Sequence, residues 1–213
     1  MNLHYAAYSY LDEYLTVDEP TMRAVKLAAD LDSADEQERK NAREALCNFA
    51  HHYSVIRTLR DRGVDEADRL RDALDILCGI PDLTTESEAI DAVEKFASQL
   101  GNLYGGKPLS AATKFIWLRC PHLIIIYDSL AWKWLRKHSE LRDSDSYETY
   151  TKLWRTSFER HAADIGFVCA ELIGIKRFTK AADIPDKDLN ALISADWFRQ
   201  RVFDHAIIEN SGA

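Results

Sequence analysis

A glycine-rich turn, Gly105-Gly106-Lys107, is the stretch of this sequence whose residue types best suit ligand chemistry. Glycines let the backbone approach another group closely, and Pro108 suits the first turn of a helix that follows directly. The first turn of a helix presents N–H groups without intrahelical partners, and these favour an anion such as phosphate. Gly105, Gly106 and the helix start that follows them therefore suit a phosphate, while a lysine beside two glycines is more often a solvated turn residue.

An aspartate, Asp128, lies 21 residues after Lys107 and precedes the predicted helix Leu130–His138. Aspartate is a preferred N-cap because its side-chain oxygen accepts hydrogen bonds from the first-turn N–H groups. An aspartate before a helix is far more often a cap than a catalyst. The spacing alone therefore predicts a cap and leaves a catalytic role open.

Taken together, the glycine hairpin, Lys107, Asp128 and the D-x-x-x-W element Asp128–Trp132 resemble a known family. They are similar to the helix-hairpin-helix DNA glycosylase superfamily, and in particular to its 8-oxoguanine DNA glycosylase-like branch. In that family the hairpin holds the DNA backbone and an aspartate follows at a similar distance. The family's hairpin normally has two glycines separated by an apolar residue, whereas Gly105 and Gly106 are adjacent here.

The resemblance implies base excision from DNA, in which a target nucleotide is flipped out of the stack. Asp128 would stabilise the positive charge that develops on the sugar as the glycosidic bond breaks. Lys107, or Lys114 as a second candidate, would attack the sugar, form a Schiff base and add strand-nicking lyase activity. Alignment back from Asp128 places Leu109 at the lysine position instead, and water would then be the nucleophile.

Further contacts follow from the same resemblance. Lys133 and Lys137 would bind DNA together with the hairpin, and Trp117 and Trp132 would wall a base pocket. The more ordinary interpretation of the tryptophans is that they belong to the core. Neither a metal nor a cofactor is expected.

Charge is unevenly distributed along the chain. The net charge is −8, yet residues 102–138 carry six lysines and arginines against Asp128 alone, which gives +5 and leaves −13 for the rest. This basic segment would suit phosphate binding, and it would equally suit docking on the protein's own acidic helices. DNA or a nucleotide is the expected partner, with a protein partner as the alternative.

In the segments that must position these residues, apolar side chains recur three and four positions apart, and residues typical of helix ends flank them. Capping boxes at Ser33/Glu36 and Thr85/Glu88 open two helices, which Gly63 and Gly101 are expected to end. The apolar residues of Leu123–Tyr127 follow one another without helical spacing, and we interpret this segment as an extended connector. The other predicted helices are Glu66–Cys78, Leu109–Arg119, Leu130–His138, Tyr147–Ala163, Ile165–Ile173, Asp188–Ile193 and Trp197–Ile208.

These patterns predict an all-α protein, a compact multi-helix domain over 1–213 whose hairpin and active-site segment spans 101–138. Neither a membrane span nor a secretion signal is apparent, which predicts a cytoplasmic protein. The four cysteines have no metal-site spacing and are expected to be reduced core thiols. Four tyrosines between Tyr5 and Tyr14 would pack the first helix onto the core, with a stacking platform for bases as the alternative.

Two other functions compete with the enzyme. The irregular hairpin and the acidic net charge favour a catalytically inactive binding module for a nucleotide, modified DNA or a protein partner. A helical interaction protein, for example a component of a bacterial defence system, would use its many charges to choose its partner. Salt-sensitive DNA binding separates the interaction protein from the enzyme and the binding module, and release of a base separates those two.

Overall fold

A computed structural model describes residues 1–30, 35–59, 66–138 and 146–211, and this part of the chain is helical without any β-strand. The α-helices are α1 (Leu3–Glu13), α2 (Glu19–Asp30), α3 (Glu36–His52), α4 (Glu66–Arg69), α5 (Arg71–Cys78), α6 (Glu86–Tyr104), α7 (Leu109–Trp117), α8 (Ser129–His138), α9 (Tyr147–Ile175), α10 (Asp186–Ser194) and α11 (Asp196–Asn210). The π-helical turn Tyr14–Asp18 and the 3₁₀ turns Ile56–Thr58 and Lys176–Phe178 complete the set. The predicted all-α class is confirmed.

The chain divides into two compact units. The terminal unit comprises Met1–Thr16 and Tyr127–Ala213, and the central unit comprises Val17–Ile126. The expectation of one helical domain over the whole chain stays a prediction.

In the central unit, α2 packs against α3 and α6 packs against α7. The predicted capping box opens α6: the Glu88 N–H donates to Thr85 Oγ1 at 3.2 Å, and Glu88 Oε2 accepts from the Thr85 N–H at 3.1 Å. The Thr84 backbone also donates to Glu88, and this bond is the main reason that the pKa of Glu88 is lowered. The start of α6 is thus set by local chemistry that the sequence displays.

Three helix boundaries in the central unit either differ from the prediction or were predicted at residues that the structure does not describe. Helix α3 begins at Glu36 with Asp35 as its N-cap, and the predicted cap Ser33 and stop Gly63 lie outside the described residues. Helix α3 ends at His52, ahead of Ser54, whose φ of 55° is left-handed. The predicted helix Glu66–Cys78 is two helices, because Leu70 leaves the helical conformation with ψ near 3° while its side chain is fully buried.

The terminal unit is organised around α9, which packs against α1, α8, α10 and α11. The prediction of a break near Asp164 was wrong, because α9 runs without interruption through this exposed residue. Buried Ile165 and Val168 are three residues apart and continue the apolar face of the helix beyond Asp164. Their packing outweighs the low helix propensity of Asp164 and Gly166.

The N-terminal tyrosines are divided between core and surface. Tyr10 is fully buried and its ring centroid lies 5.0 Å from that of Phe198. Tyr5 is exposed, and half-buried Tyr8 donates its hydroxyl to the Phe178 carbonyl at 3.0 Å. The core interpretation therefore holds for Tyr10 and not for Tyr5.

The segment before α8 is a connector, as predicted. Ile124, Ile125 and Ile126 are buried and belong to neither a helix nor a strand.

Candidate functional site

The hairpin between α6 and α7 is built by three glycines. Gly105 and Gly106 have φ values of 89° and 72°, a backbone conformation that disfavours residues with a Cβ. The Gly105 N–H donates to the Gly101 carbonyl at 2.8 Å. A Cβ at Gly101 would lie only 2.3 Å from the Gly106 carbonyl oxygen, so this position also requires glycine. The prediction that Gly101 ends the helix was wrong, because α6 continues to Tyr104 and Gly101 instead allows the turn to fold back.

Helix α7 begins directly after this turn. Pro108 is its N-cap residue and supplies no side-chain hydrogen bond to the first-turn N–H groups. Gly105, Gly106 and Lys107 are exposed just before that helix start. This arrangement, a helix N-terminus behind an exposed glycine turn, has the chemistry for holding a phosphate. Helix α7 ends at Trp117, two residues before the predicted end.

Lys107 forms a surface ion pair. Its Nζ donates to Glu94 Oε2 at 2.9 Å, and its side chain is 58% exposed. Exposed pairs of this kind contribute at most about 1 kcal/mol, so the ammonium group can exchange Glu94 for a phosphate. Lys107 has the accessibility that a DNA contact requires.

Lys114 differs from Lys107 in every respect. It lies on α7 with only 4% of its surface exposed, and its Nζ donates to Ser110 Oγ at 2.8 Å. The amine therefore bonds to a residue of its own helix, and little of the lysine is accessible to solvent. Trp117 on the same helix is 1% exposed and lies in the core of the central unit.

Asp128 caps α8 in the terminal unit, as predicted. Its Oδ1 accepts from the Leu130 N–H at 2.8 Å, and its carbonyl oxygen accepts from the Trp132 N–H at the same distance. The residue as a whole is half-buried. The helix itself begins at Ser129, one residue earlier than predicted.

Aromatic side chains surround the segment that carries Asp128. The ring of Tyr150 lies 4.9 Å from that of Tyr127 and 5.8 Å from that of Trp132. Burial is the main reason that the pKa of Tyr150 is raised well above 10, and the carboxylates of Asp204 and Asp128 add to this effect. The backbone of Asp128 makes a hydrogen bond to Tyr150 that acts in the opposite direction. We call Tyr127, Trp132, Tyr147 and Tyr150 the aromatic cluster.

Helix α8 carries the remaining predicted contacts. Lys133 and Lys137 are exposed, and Trp132 is half-buried with the guanidinium of Arg136 5.6 Å from its ring centroid. Asp128 and these residues belong to the terminal unit, whereas the hairpin, Lys107 and Lys114 belong to the central unit. A site shared by the two sets stays a prediction.

Sequence reasoning missed a buried polar group beneath the aromatic cluster. Asp204 accepts from Trp154 Nε1 at 2.7 Å and from Arg201 Nη1 at 2.9 Å. Burial raises the pKa of Asp204, and Arg201 opposes this shift. The sequence signal is the three-residue spacing of Arg201 and Asp204 on α11, which places both on one face of the helix.

Other classes of site are not apparent in the described part of the chain. No group of three or more histidine, cysteine or acidic side chains there could hold a metal ion. None of the helices in the described ranges is both long and apolar enough to cross a bilayer. Comparisons of the chain with protein families, with curated proteins and with solved structures found no match.

Proposed function

We propose that this protein is a DNA N-glycosylase similar to the 8-oxoguanine DNA glycosylase-like branch of the helix-hairpin-helix superfamily, and that it releases a damaged or modified base. The observation that carries the proposal is the carboxylate of half-buried Asp128, which caps α8 beside Tyr150 of the aromatic cluster. A carboxylate suits the stabilisation of a sugar cation. Neighbouring aromatic rings suit the stacking of an extruded base.

In the proposed reaction the C1′–N bond breaks and its electron pair leaves with the base. The carboxylate of Asp128 stabilises the positive charge left on the sugar. A water oxygen then bonds to C1′, its proton is transferred to the departing base, and an abasic site remains. Asp128 serves as the cap of α8 at the same time, which fixes the orientation of its carboxylate.

The hairpin supports the same proposal through DNA binding. Gly105 and Gly106 are exposed ahead of α7, and Lys107 adds a cation that is held only by a surface ion pair. These three residues of the central unit would grip a backbone phosphate, and Lys133 and Lys137 would be the DNA contacts of the terminal unit. Such contacts position the DNA without reading its sequence.

A lysine-dependent lyase step is the less favoured form of the proposal. Lys107 is paired with Glu94, and Lys114 is buried against Ser110. A nucleophilic lysine needs a deprotonated, accessible amine. Water is therefore the proposed nucleophile.

A noncatalytic binding module is the second candidate. The engagement of both lysines and the net charge of −8 favour it over a strand-nicking enzyme. Its ligand would be a nucleotide, modified DNA or a protein partner, in a setting such as bacterial defence. It differs from the glycosylase in releasing no base.

The test uses labelled duplexes that each carry one damaged or modified base. Hot alkali cleaves at abasic sites, so strand breaks after alkali report base release, and borohydride traps any Schiff base. We expect alkali-dependent breaks on one member of the panel without trapping. Trapping that is lost in Lys107→Ala or Lys114→Ala would instead assign a lyase. Duplex binding without base release from any member would favour the binding module.

A further inference from the structure

A cavity of about 480 Å³ opens in the terminal unit; Asp128 does not line it, whereas Lys137, one of the proposed DNA contacts, does. Its described walls come from the end of α8, the middle of α9 and the end of α11. Cavities of this size accommodate small organic ligands. The cavity therefore has room for more than a single ion.

Basic side chains predominate among the charged groups of the described cavity lining. Lys137, His138, Arg160 and His161 line it, and no carboxylate occurs among its described lining residues. Within the described chain, neither Lys137 nor Arg160 is paired with an acidic side chain. In a protein of net charge −8, a cavity whose described lining has four basic side chains and no acidic one favours an anion.

Helix-end chemistry explains only part of this cluster. Lys137 and His138 lie in the last turn of α8, where cations complement the free carbonyls, and His138 Nδ1 lies 2.8 Å from the Trp134 carbonyl oxygen. Arg160 lies in the middle of α9, remote from either helix end. Its position on the cavity wall has no such structural explanation.

The wall also offers a planar surface and a hydroxyl. The rings of Trp134 and His138 are stacked at 4.2 Å with an interplanar angle of 22°, and the imidazole is exposed. Ser157 contributes a hydroxyl to the same lining. Cations suited to a phosphate and a stacked pair of rings suited to a base are the two halves of nucleotide recognition.

We infer that this cavity binds an organic phosphate carrying a planar ring, namely a nucleotide, with the phosphate between Lys137 and Arg160 and the base against His138. The nucleotide is either free or part of a DNA strand. The inference does not depend on base excision. Asp128→Asn protein should bind as tightly as wild type, so failure of the catalytic proposal would leave this one standing.

Isothermal titration at low salt tests the inference with four probes. They are deoxyadenosine 5′-monophosphate, deoxyadenosine, inorganic phosphate and an oligothymidylate without terminal phosphates. We expect the mononucleotide or the oligonucleotide to bind more tightly than either deoxyadenosine or inorganic phosphate. The tighter of the two identifies the source of the nucleotide.

Variants localise the binding to the cavity. Lys137→Gln and Arg160→Gln should each weaken it about tenfold, the loss of one charge-assisted hydrogen bond, while Arg160→Lys should retain most of it. Lys187→Gln, an exposed cation on α10 outside the cavity, is the matched control and should change nothing. No binding of either nucleotide probe, equal affinity for inorganic phosphate, or unchanged affinity in both glutamine variants would overturn the inference.

Discussion

Asp128 combines a structural role with the proposed chemical one, and the two can be separated by substitution. Asparagine is as good an N-cap as aspartate, whereas alanine cannot accept the hydrogen bond from the Leu130 N–H. We expect Asp128→Asn to leave the free energy of unfolding nearly unchanged and Asp128→Ala to lower it by about 1 kcal/mol. Urea denaturation of the three proteins measures the difference. Equal stability of the two variants would show that the cap contributes nothing.

Cys169 provides a residue-scale test of the core. Burial raises the pKa of its thiol from 9.0 to about 12. At pH 8 the thiolate fraction should therefore be about 1000-fold lower than for an ordinary cysteine, and alkylation correspondingly slower. Iodoacetamide labelling followed by peptide mass spectrometry should find Cys169 protected in the folded protein and reactive in urea.

The same shift affects stability at high pH, with a defined sign. Because the folded pKa lies above the unfolded value, the native state holds the proton more tightly. The contribution of Cys169 is then complete below pH 9.0 and is lost as the pH rises through about 12. Half-exposed Cys78, whose pKa is also raised by burial, is the internal comparison. Labelling of Cys169 as fast as that of Cys78 at pH 8 would contradict the buried placement.

At the scale of elements, the hairpin depends on the absence of a side chain at Gly101. Gly101→Ala places a Cβ 2.3 Å from the Gly106 carbonyl oxygen, which forces α6 and α7 to shift. We expect a loss of about 1–3 kcal/mol in the free energy of unfolding, the usual cost of overpacking. Thermal or urea denaturation measures it.

The matched control is Gly174→Ala on α9. Gly174 is exposed, and a Cβ there would meet no neighbouring atom within 4 Å. Alanine should therefore stabilise the helix by about 0.5–1 kcal/mol. If both substitutions have the same sign, the close approach at Gly101 is not what shapes the hairpin.

The ends of helices could be predicted where they depend on hydrogen bonds between residues close together in the sequence. The reciprocal bonds of Thr85 and Glu88, and the cap at Asp128, act within four residues and follow directly from residue types. The continuity of α9 through Asp164 depends on the burial of Ile165 and Val168 in the core. The spacing of apolar residues around Gly166 does not show that these two side chains are buried. Glycine is needed at Gly101 because the Gly106 carbonyl, five residues later and across a turn, approaches it closely. The rule that a glycine ends a helix therefore misassigned this residue.

At the scale of the whole molecule, the uneven charge makes a prediction about DNA. A chain of net charge −8 can bind DNA only through a local basic surface, and such binding releases counterions and weakens with salt. We expect duplex affinity to fall steeply between low and moderate salt. Lys107→Gln and Lys133→Gln should each reduce the log–log slope by about 1, and Lys187→Gln should leave it unchanged. Binding that is insensitive to salt, or absent at every salt concentration, would favour a protein partner.

The candidate site was only partly accessible to sequence reasoning. Spacing and residue type identified Asp128, because a cap and an aromatic residue four positions later are local features. The neighbours Tyr150 and Asp204 come from α9 and α11, and nothing local in the sequence brings them to α8. Likewise, Arg160 joins Lys137 at one cavity through helix packing alone.

The most direct test of the proposed function compares base release by wild-type protein and Asp128→Asn on the same panel of modified duplexes. The asparagine keeps the cap of α8 and removes the charge that would stabilise the sugar cation. We expect one duplex from which wild type releases the base, with the rate reduced by at least about 100-fold in the variant, in line with the loss of an electrostatic catalyst. Equal rates for the two proteins, with both correctly folded, would contradict the catalytic role of Asp128.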